Sequence, residues 1–249
     1  MKNKRPPFAG VLQILKFNWT FYLLAIGGVA FAFFLIHQVS LPYFVKILFW
    51  GGIFLSVFWI FSSLLASYWV YDFSDLYQWA WVKKIIPSSF GKMANLHAGF
   101  DETSQALQAL FPESQWEVLD VYPPEFASTA SLERARSSRN SLSKLANPCE
   151  LPFSEEIFDG VFLIFAAHEI REAKVRKKFF EELHRILKRG GKLLLVEHLR
   201  DFANFVAFGP NVLHFFSKKE WLRCIESASF KVIQEFRITP FVKIFLLEK

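Results

Sequence analysis

The sequence predicts an α/β protein, an open and mostly parallel sheet preceded by a hairpin of two transmembrane helices. Three observations carry this reading. Two long charge-free apolar stretches open the chain, short apolar runs then alternate with charged helical stretches, and the last two elements are consecutive strands. Of 249 residues 53% are hydrophobic and 21% charged, which excludes wholesale disorder. Six of the eight Trp (Trp19, Trp50, Trp59, Trp69, Trp79 and Trp81) fall in the first third, so two compositions are joined and a uniform soluble globule is ruled out. Cys149 and Cys224 form no CxxC pair and no zinc spacing, and a reducing compartment suits them better than a disulfide framework.

Residues 1–16 form a basic N-terminus. Phe17–Ile36 then offers twenty residues without a charge, and Ile47–Tyr71 twenty-five more. At about 1.5 Å per residue each covers a hydrocarbon core of about 30 Å. Neither has the polar face of a buried soluble helix. Both are therefore expected to span a membrane, with the ten residues between them as the turn. Lys2, Lys4, Arg5 and Lys16 precede the first span and Lys83, Lys84 and Lys92 follow the second, against Lys46 alone in the turn. This bias predicts an inner-membrane, multi-pass protein with both termini and the soluble domain in the cytoplasm. It also explains the net charge of +6 without nucleic-acid binding. Residues 72–92 read as an amphipathic connector, lying near the membrane surface or packed on the soluble domain.

From Met93 to Lys249 the strands are expected at Met93–His97, Trp116–Val121, Asp159–Phe165, Lys192–Glu197, Lys231–Phe236 and Phe241–Leu247. Helices are expected at Thr103–Phe111, Leu132–Arg139, Val175–Leu187 and Lys219–Ser227, the last with Ser217 as N-cap and Glu220 closing a capping box. Such a sheet places its ligand site at the carboxyl ends of its parallel strands.

Leu151-Pro152-Phe153, then Phe158-Asp159-Gly160-Val161, then Glu182-Leu183-His184-Arg185-Ile186-Leu187-Lys188-Arg189-Gly190-Gly191 together resemble the second half of the class I S-adenosylmethionine-dependent methyltransferases, whose fold is a Rossmann-like open sheet. The resemblance implies S-adenosylmethionine as cofactor. It places His97, Ala98, Gly99 and Asp101 in the cofactor loop, Asp120 on the ribose hydroxyls and Asn147 near the adenine. The loop His97-Ala98-Gly99-Phe100-Asp101-Glu102-Thr103 departs from the family in carrying His97 where a first glycine is usual. Gly190-Gly191 reads as a helix C-cap and turn.

Two charged clusters fall at strand carboxyl ends. His168 and Glu169 follow the expected strand Asp159–Phe165, with Arg171 beyond them; Glu197 and His198 stand at the end of the expected strand Lys192–Glu197, followed by Arg200. The acidic and imidazole groups are candidates for deprotonating a methyl acceptor, and the two guanidinia for holding an anionic substrate group. A salt-bridge network between two loops is the structural alternative. No metal is expected, with His168, His198 and His214 the one trio left open. Lys174, Arg176, Lys177 and Lys178 read as a solvated helix face.

The sequence thus predicts a membrane-anchored methyltransferase acting on a small-molecule or lipid acceptor. The alternative is a tethered module of the same fold that binds a ligand or partner without catalysis. A nicotinamide-dependent oxidoreductase is excluded by the missing G-x-G-x-x-G turn.

Overall fold

The computed structural model describes residues 6, 8–87, 91–122, 134 and 143–249. Most of the helix expected at Leu132–Arg139 lies outside the described residues. The two apolar stretches form antiparallel helices, α1 (Ala9–Gln38) and α2 (Tyr43–Tyr68), each long and apolar enough to cross a membrane. Most of their large side chains are exposed, Leu24 at 74% and Phe54 at 69% among them. The first turn of α1 is held by Asp72, whose carboxylate accepts the Gly10 and Val11 N–H groups at 2.8 and 3.0 Å. An acid there satisfies amides that lack intrahelical partners and complements the helix dipole.

Beyond α2 the backbone passes through one π-helical turn (Trp69–Phe73) and two 3-10 turns and enters a seven-stranded sheet. Its strands are β1 (Lys92–His97), β2 (Gln115–Asp120), β3 (Lys144–Leu145), β4 (Phe158–Ile164), β5 (Leu187–His198), β6 (Lys231–Thr239) and β7 (Val242–Glu248). They lie in the order β3-β2-β1-β4-β5-β7-β6, parallel from β3 to β5, with β7 antiparallel to both its neighbours. One face is covered by α4 (Ala173–Ile186) and α6 (Lys218–Ser227), which contribute Phe179, Phe180, Leu183 and Trp221 to the larger core. Against the other pack α3 (Ser104–Leu110) and the chain from Val70 to Ile86. The expected connector is therefore part of the core: Leu76 and Val82 are wholly buried and Trp79 nearly so. The folded unit starts ahead of Met93.

The signature residues act as staples between elements. Glu182 on α4 accepts the Leu151 N–H, and Arg185 donates to the carbonyls of Leu151 and Phe153, so α4 fixes the Leu-Pro-Phe turn. Asp159 accepts the Lys92 and Gly91 N–H groups and pairs with Lys188, aligning β1 with β4. Ser217 and Glu220 complete the expected capping box of α6.

Two local expectations are corrected. Gly190-Gly191 is not a helix C-cap. The chain leaves α4 directly into extended backbone at Leu187, and the glycines form a bulge inside β5, where pairing jumps from Phe158–Leu187 to Gly160–Lys192. Gly190 takes φ +74° there, and a Cβ on Gly191 would come within 2.8 Å of the Lys188 carbonyl oxygen. Arg176, expected on a solvated face, is buried. Its guanidinium lies 3.8 Å from the centre of the Phe216 ring and donates to the Ile170 and Arg171 carbonyls.

Candidate active site

At the carboxyl end of β1 the chain turns through Ala98 and Gly99, the latter at φ +76°. The Gly99 N–H donates to Asp120 Oδ1 at 2.9 Å and the Tyr122 N–H to the same oxygen at 3.1 Å. Asp120 is thus locked at the end of β2 through one oxygen, while Oδ2 receives no hydrogen bond from a described residue. A carboxyl oxygen held in this way could accept hydrogen bonds from the vicinal hydroxyls of a ribose, the group the cofactor would present. The His97 ring lies with Nε2 2.8 Å from Ser143 Oγ, just ahead of β3. Asp101 caps α3, accepting the Thr103 and Ser104 N–H groups at 3.2 and 2.9 Å. Asn147 is exposed, and its Oδ1 accepts the Cys149 N–H in a local turn.

The apolar helices reach this loop directly. Phe17 packs edge-on against Phe100 at 5.1 Å, and Glu102 accepts hydrogen bonds from Gln13 Nε2 and the Tyr77 hydroxyl. On the other side Ser62 of α2 donates to the Ala207 carbonyl at 2.9 Å, and Trp59 meets Phe205. Both residues lie on α5 (Phe202–Phe208), a helix the sequence reading did not anticipate.

Between the helix pair and the domain lies a cavity of about 560 Å³. Ile14, Phe17 and Phe21 of α1 and Trp59 and Ile60 of α2 give it apolar walls, and Glu169, His198 and His214 face it from the domain. A second cavity of about 510 Å³ continues between the helices, and the two share Ala25 and Ser56.

At the domain end His168 and Glu169 follow β4, Glu197 is the penultimate residue of β5, and His214 ends the short turn Gly209–His214. Glu197 Oε2 is 2.7 Å from His168 Nδ1, and Glu197 Oε1 accepts the His168 backbone N–H. Glu169 Oε1 lies 3.4 Å from His168 Nε2 and 3.5 Å from His214 Nε2. Burial disfavours a charged His168 ring, but the charge of Glu197 and the contacts to both carboxylates outweigh it and raise its pKa to about 10. Burial likewise opposes a charged Glu169, yet the neighbouring His168 and His214 rings hold its carboxyl below the usual range.

His198 takes a different role. Its ring is stacked between Phe165 and Phe215, each 4.9 Å away, with Nδ1 3.0 Å from the Phe241 carbonyl oxygen and Nε2 3.4 Å from the Tyr71 hydroxyl. Burial, reinforced by the charge on His168, pushes its pKa down to about 4, so it is neutral at pH 7. Arg171 donates to the carbonyls of His168 and His214 and lies over Phe216. Arg200 donates to the Phe215 carbonyl, 4.0 Å from Glu220. Both guanidinia clamp the 214–216 segment, and neither lines the cavity. Of the four candidate acid–base residues the structure brings His168, Glu169 and Glu197 into one cluster, adds His214, and sets His198 beside it in an aromatic stack. The sequence names His214 only with His168 and His198, and the packing of the 209–216 segment brings it to Glu169 instead of His198.

Residues 101–195 match the family model for a methyltransferase domain. A ubiquinone/menaquinone biosynthesis C-methyltransferase of Geobacter sp. (strain M21) is 29% identical over 119 residues, 47% of this chain and 49% of that protein. A demethylmenaquinone methyltransferase of Symbiobacterium thermophilum is 32% identical over 66 residues, 26% of this chain and 25% of that one. The chain thus spans about half or less of the length of these curated relatives. Among solved structures, human N-acetylserotonin methyltransferase in complex with S-adenosylmethionine superposes with a TM-score of 0.53 at 18% identity, over 95% of this chain and 70% of that one. A methyltransferase of Methanosarcina mazei gives 0.51 at 14%, over 68% and 97%. The fold is the Rossmann-like sheet of class I methyltransferases.

Proposed function

We propose that this chain is an S-adenosylmethionine-dependent methyltransferase whose acceptor is an elongated apolar molecule reached from the lipid phase. The cavity between the helix pair and the strand ends supports the reading: its walls are apolar, it continues between the helices, and its ionisable groups gather at the domain end. Such a shape suits an amphiphile with its reactive group at Glu169 and its tail along α1 and α2. The curated relatives carry names from quinone biosynthesis, which is consistent with a lipid-soluble ring as acceptor. On this reading α1 and α2 span the inner membrane with both termini cytoplasmic, as the flanking basic residues suggest.

Asp120 and the Gly99 turn would hold the cofactor, and His97, Ala98, Asp101 and Asn147 surround or support that crevice. Bound S-adenosylmethionine supplies an activated methyl group, so the protein's contribution is largely positioning. Glu169, facing the cavity and ionised, accepts a hydrogen bond from an acceptor hydroxyl. Glu197 fixes the ring of His168 behind it, and the apolar walls exclude water.

The test is calorimetric titration of S-adenosylmethionine into the full chain in detergent micelles. Micromolar binding that Asp120→Asn weakens at least tenfold supports the cofactor site. Transfer of a labelled methyl group into the organic phase of a lipid extract then supports the acceptor class. No cofactor binding by a folded chain would overturn the enzyme reading in favour of a tethered interaction module, to which the His97 departure already points.

A further inference from the structure

We propose that His168, Glu169 and His214 form a binding site for one first-row divalent cation of the zinc class, with Glu197 as its supporting carboxylate. The residue types are two imidazoles and one carboxylate, a set that takes borderline divalent metals. Their nearest ligand atoms all lie within 4.8 Å of one another.

The contacts within the cluster fall into two lengths. A charge-assisted N–H···O bond runs about 2.7–2.9 Å, and the His168 Nδ1–Glu197 contact at 2.7 Å is such a bond. The contacts of Glu169 Oε1 with His168 Nε2 and His214 Nε2 are longer, at 3.4 and 3.5 Å. Metal–ligand bonds of about 2.0–2.1 Å place neighbouring ligand atoms of a tetrahedron about 3.3–3.4 Å apart. The two longer contacts therefore have the length of tetrahedral edges.

The surroundings agree. Glu197 Oε2 is placed to accept a hydrogen bond from His168 Nδ1, and Nε2 faces Glu169 and His214. This is the carboxylate–histidine arrangement that orients a ligating imidazole. Glu197 is fully buried and Glu169 nearly so, and neither pairs with a Lys or Arg among the described residues. A divalent cation among His168 Nε2, Glu169 and His214 would sit where the carboxylates of Glu169 and Glu197 converge on the two imidazoles. Three protein ligands leave a fourth position, and Glu169 and His214 line the cavity, so that position opens toward the acceptor. The role in positioning an acceptor oxygen rests on the proposed acceptor site; the binding of the cation does not.

The experiment strips the full chain in detergent with a chelator, then titrates it with Co²⁺ while recording visible absorption and bound-metal content. One equivalent bound with the intense bands of a four- or five-coordinate site is expected. Binding should weaken at least tenfold in His214→Ala and Glu169→Gln and be unchanged in His184→Ala, a histidine on the far side of α4. Glu197→Gln should weaken it by about 10–100-fold. Because His214 is half-exposed, its removal spares the core, and Zn²⁺ should raise the melting temperature of the parent protein but not of His214→Ala. Less than one equivalent at micromolar Co²⁺, or binding indifferent to His214→Ala and Glu169→Gln, overturns the proposal. A parallel S-adenosylmethionine titration keeps the two readings apart: cofactor binding without metal binding removes only the cation site.

Discussion

The seam between the helix pair and the domain depends on one close approach, at Gly209. That residue takes φ +57°, and a Cβ built on it would lie 2.6 Å from the indole of Trp59. Gly209→Ala therefore incurs two separable penalties. Left-handed backbone on a residue with a Cβ costs about 1–3 kcal/mol, and overpacking against the indole about 1–3 kcal/mol more. The sum is roughly 2–6 kcal/mol, enough to loosen α2 from α5 and distort the cavity wall that Trp59 and Phe208 share. Trp59→Ala removes the steric part and leaves the backbone part. In that background Gly209→Ala should cost only about 1–3 kcal/mol, giving a coupling of about 1–3 kcal/mol between the two sites. Thermal or denaturant unfolding of the four proteins in one detergent, followed by near-ultraviolet circular dichroism, measures the cycle. Additivity within about 0.5 kcal/mol would refute the packing of Trp59 on Gly209.

Two further outcomes follow from burial. Leu76→Ala, in the segment under the sheet, should destabilise the domain by about 3–5 kcal/mol, whereas Leu24→Ala on the exposed face of α1 should change the midpoint hardly at all; equal midpoints would place Leu76 outside the core. His198 is depressed from its ordinary value to about 4, so between pH 6.5 and 4 the unfolded chain binds the extra proton and stability falls as pH falls. The parent protein should lose roughly 3 kcal/mol across that window relative to His198→Gln, and parallel pH–stability curves for the two would contradict the buried neutral ring.

What the sequence disclosed and what it withheld divide along the range of the interactions. Six of the seven strands were legible because alternating apolar runs and charged helical faces are local patterns, whereas the two-residue β3 (Lys144–Leu145) is too short to leave one. The capping box at Ser217–Glu220 was legible for the same reason. Glu182, Arg185 and Asp159 could be recognised as a signature, but only the structure shows that they pin the Leu-Pro-Phe turn and the start of β1. Gly190-Gly191 misled because a glycine pair after a helical pattern reads as a cap, and the bulge becomes visible only when β4 is laid beside β5. His214 could be named only in a trio with His168 and His198, and Arg176 only as a solvated face, because their partners lie across loops: a carboxylate 45 positions back for one, the Phe216 ring for the other. The connector was ambiguous because apolar aromatic residues suit a bilayer surface and a sheet face equally well.

The docking of the helices also bears on how deep the domain sits under the proposed topology. Arg134 donates to the Phe17 carbonyl and to Thr20 on α1, and Ser62 and Trp59 tie α2 to α5. Beyond those points α1 runs about 18 residues to Gln38 and α2 about 16 back to Tyr43, or roughly 24–27 Å at 1.5 Å per residue. That is short of a hydrocarbon core of about 30 Å. The difference is made up if the near rim of the domain lies in the headgroup layer, and its exposed side chains suit that depth: Phe202 is 80% exposed, Phe73 68% and Leu213 64%. A nitroxide attached at Phe202→Cys, with Cys149 and Cys224 replaced by Ser, reports the depth in reconstituted bilayers. Faster relaxation by dissolved oxygen than by a water-soluble nickel complex is expected there, as at a label on Leu24→Cys. Nickel-dominated relaxation at Phe202 with oxygen-dominated relaxation at Leu24 would put the domain clear of the membrane. The cavity mouth would then open to water, and the acceptor would have to leave the bilayer to reach it.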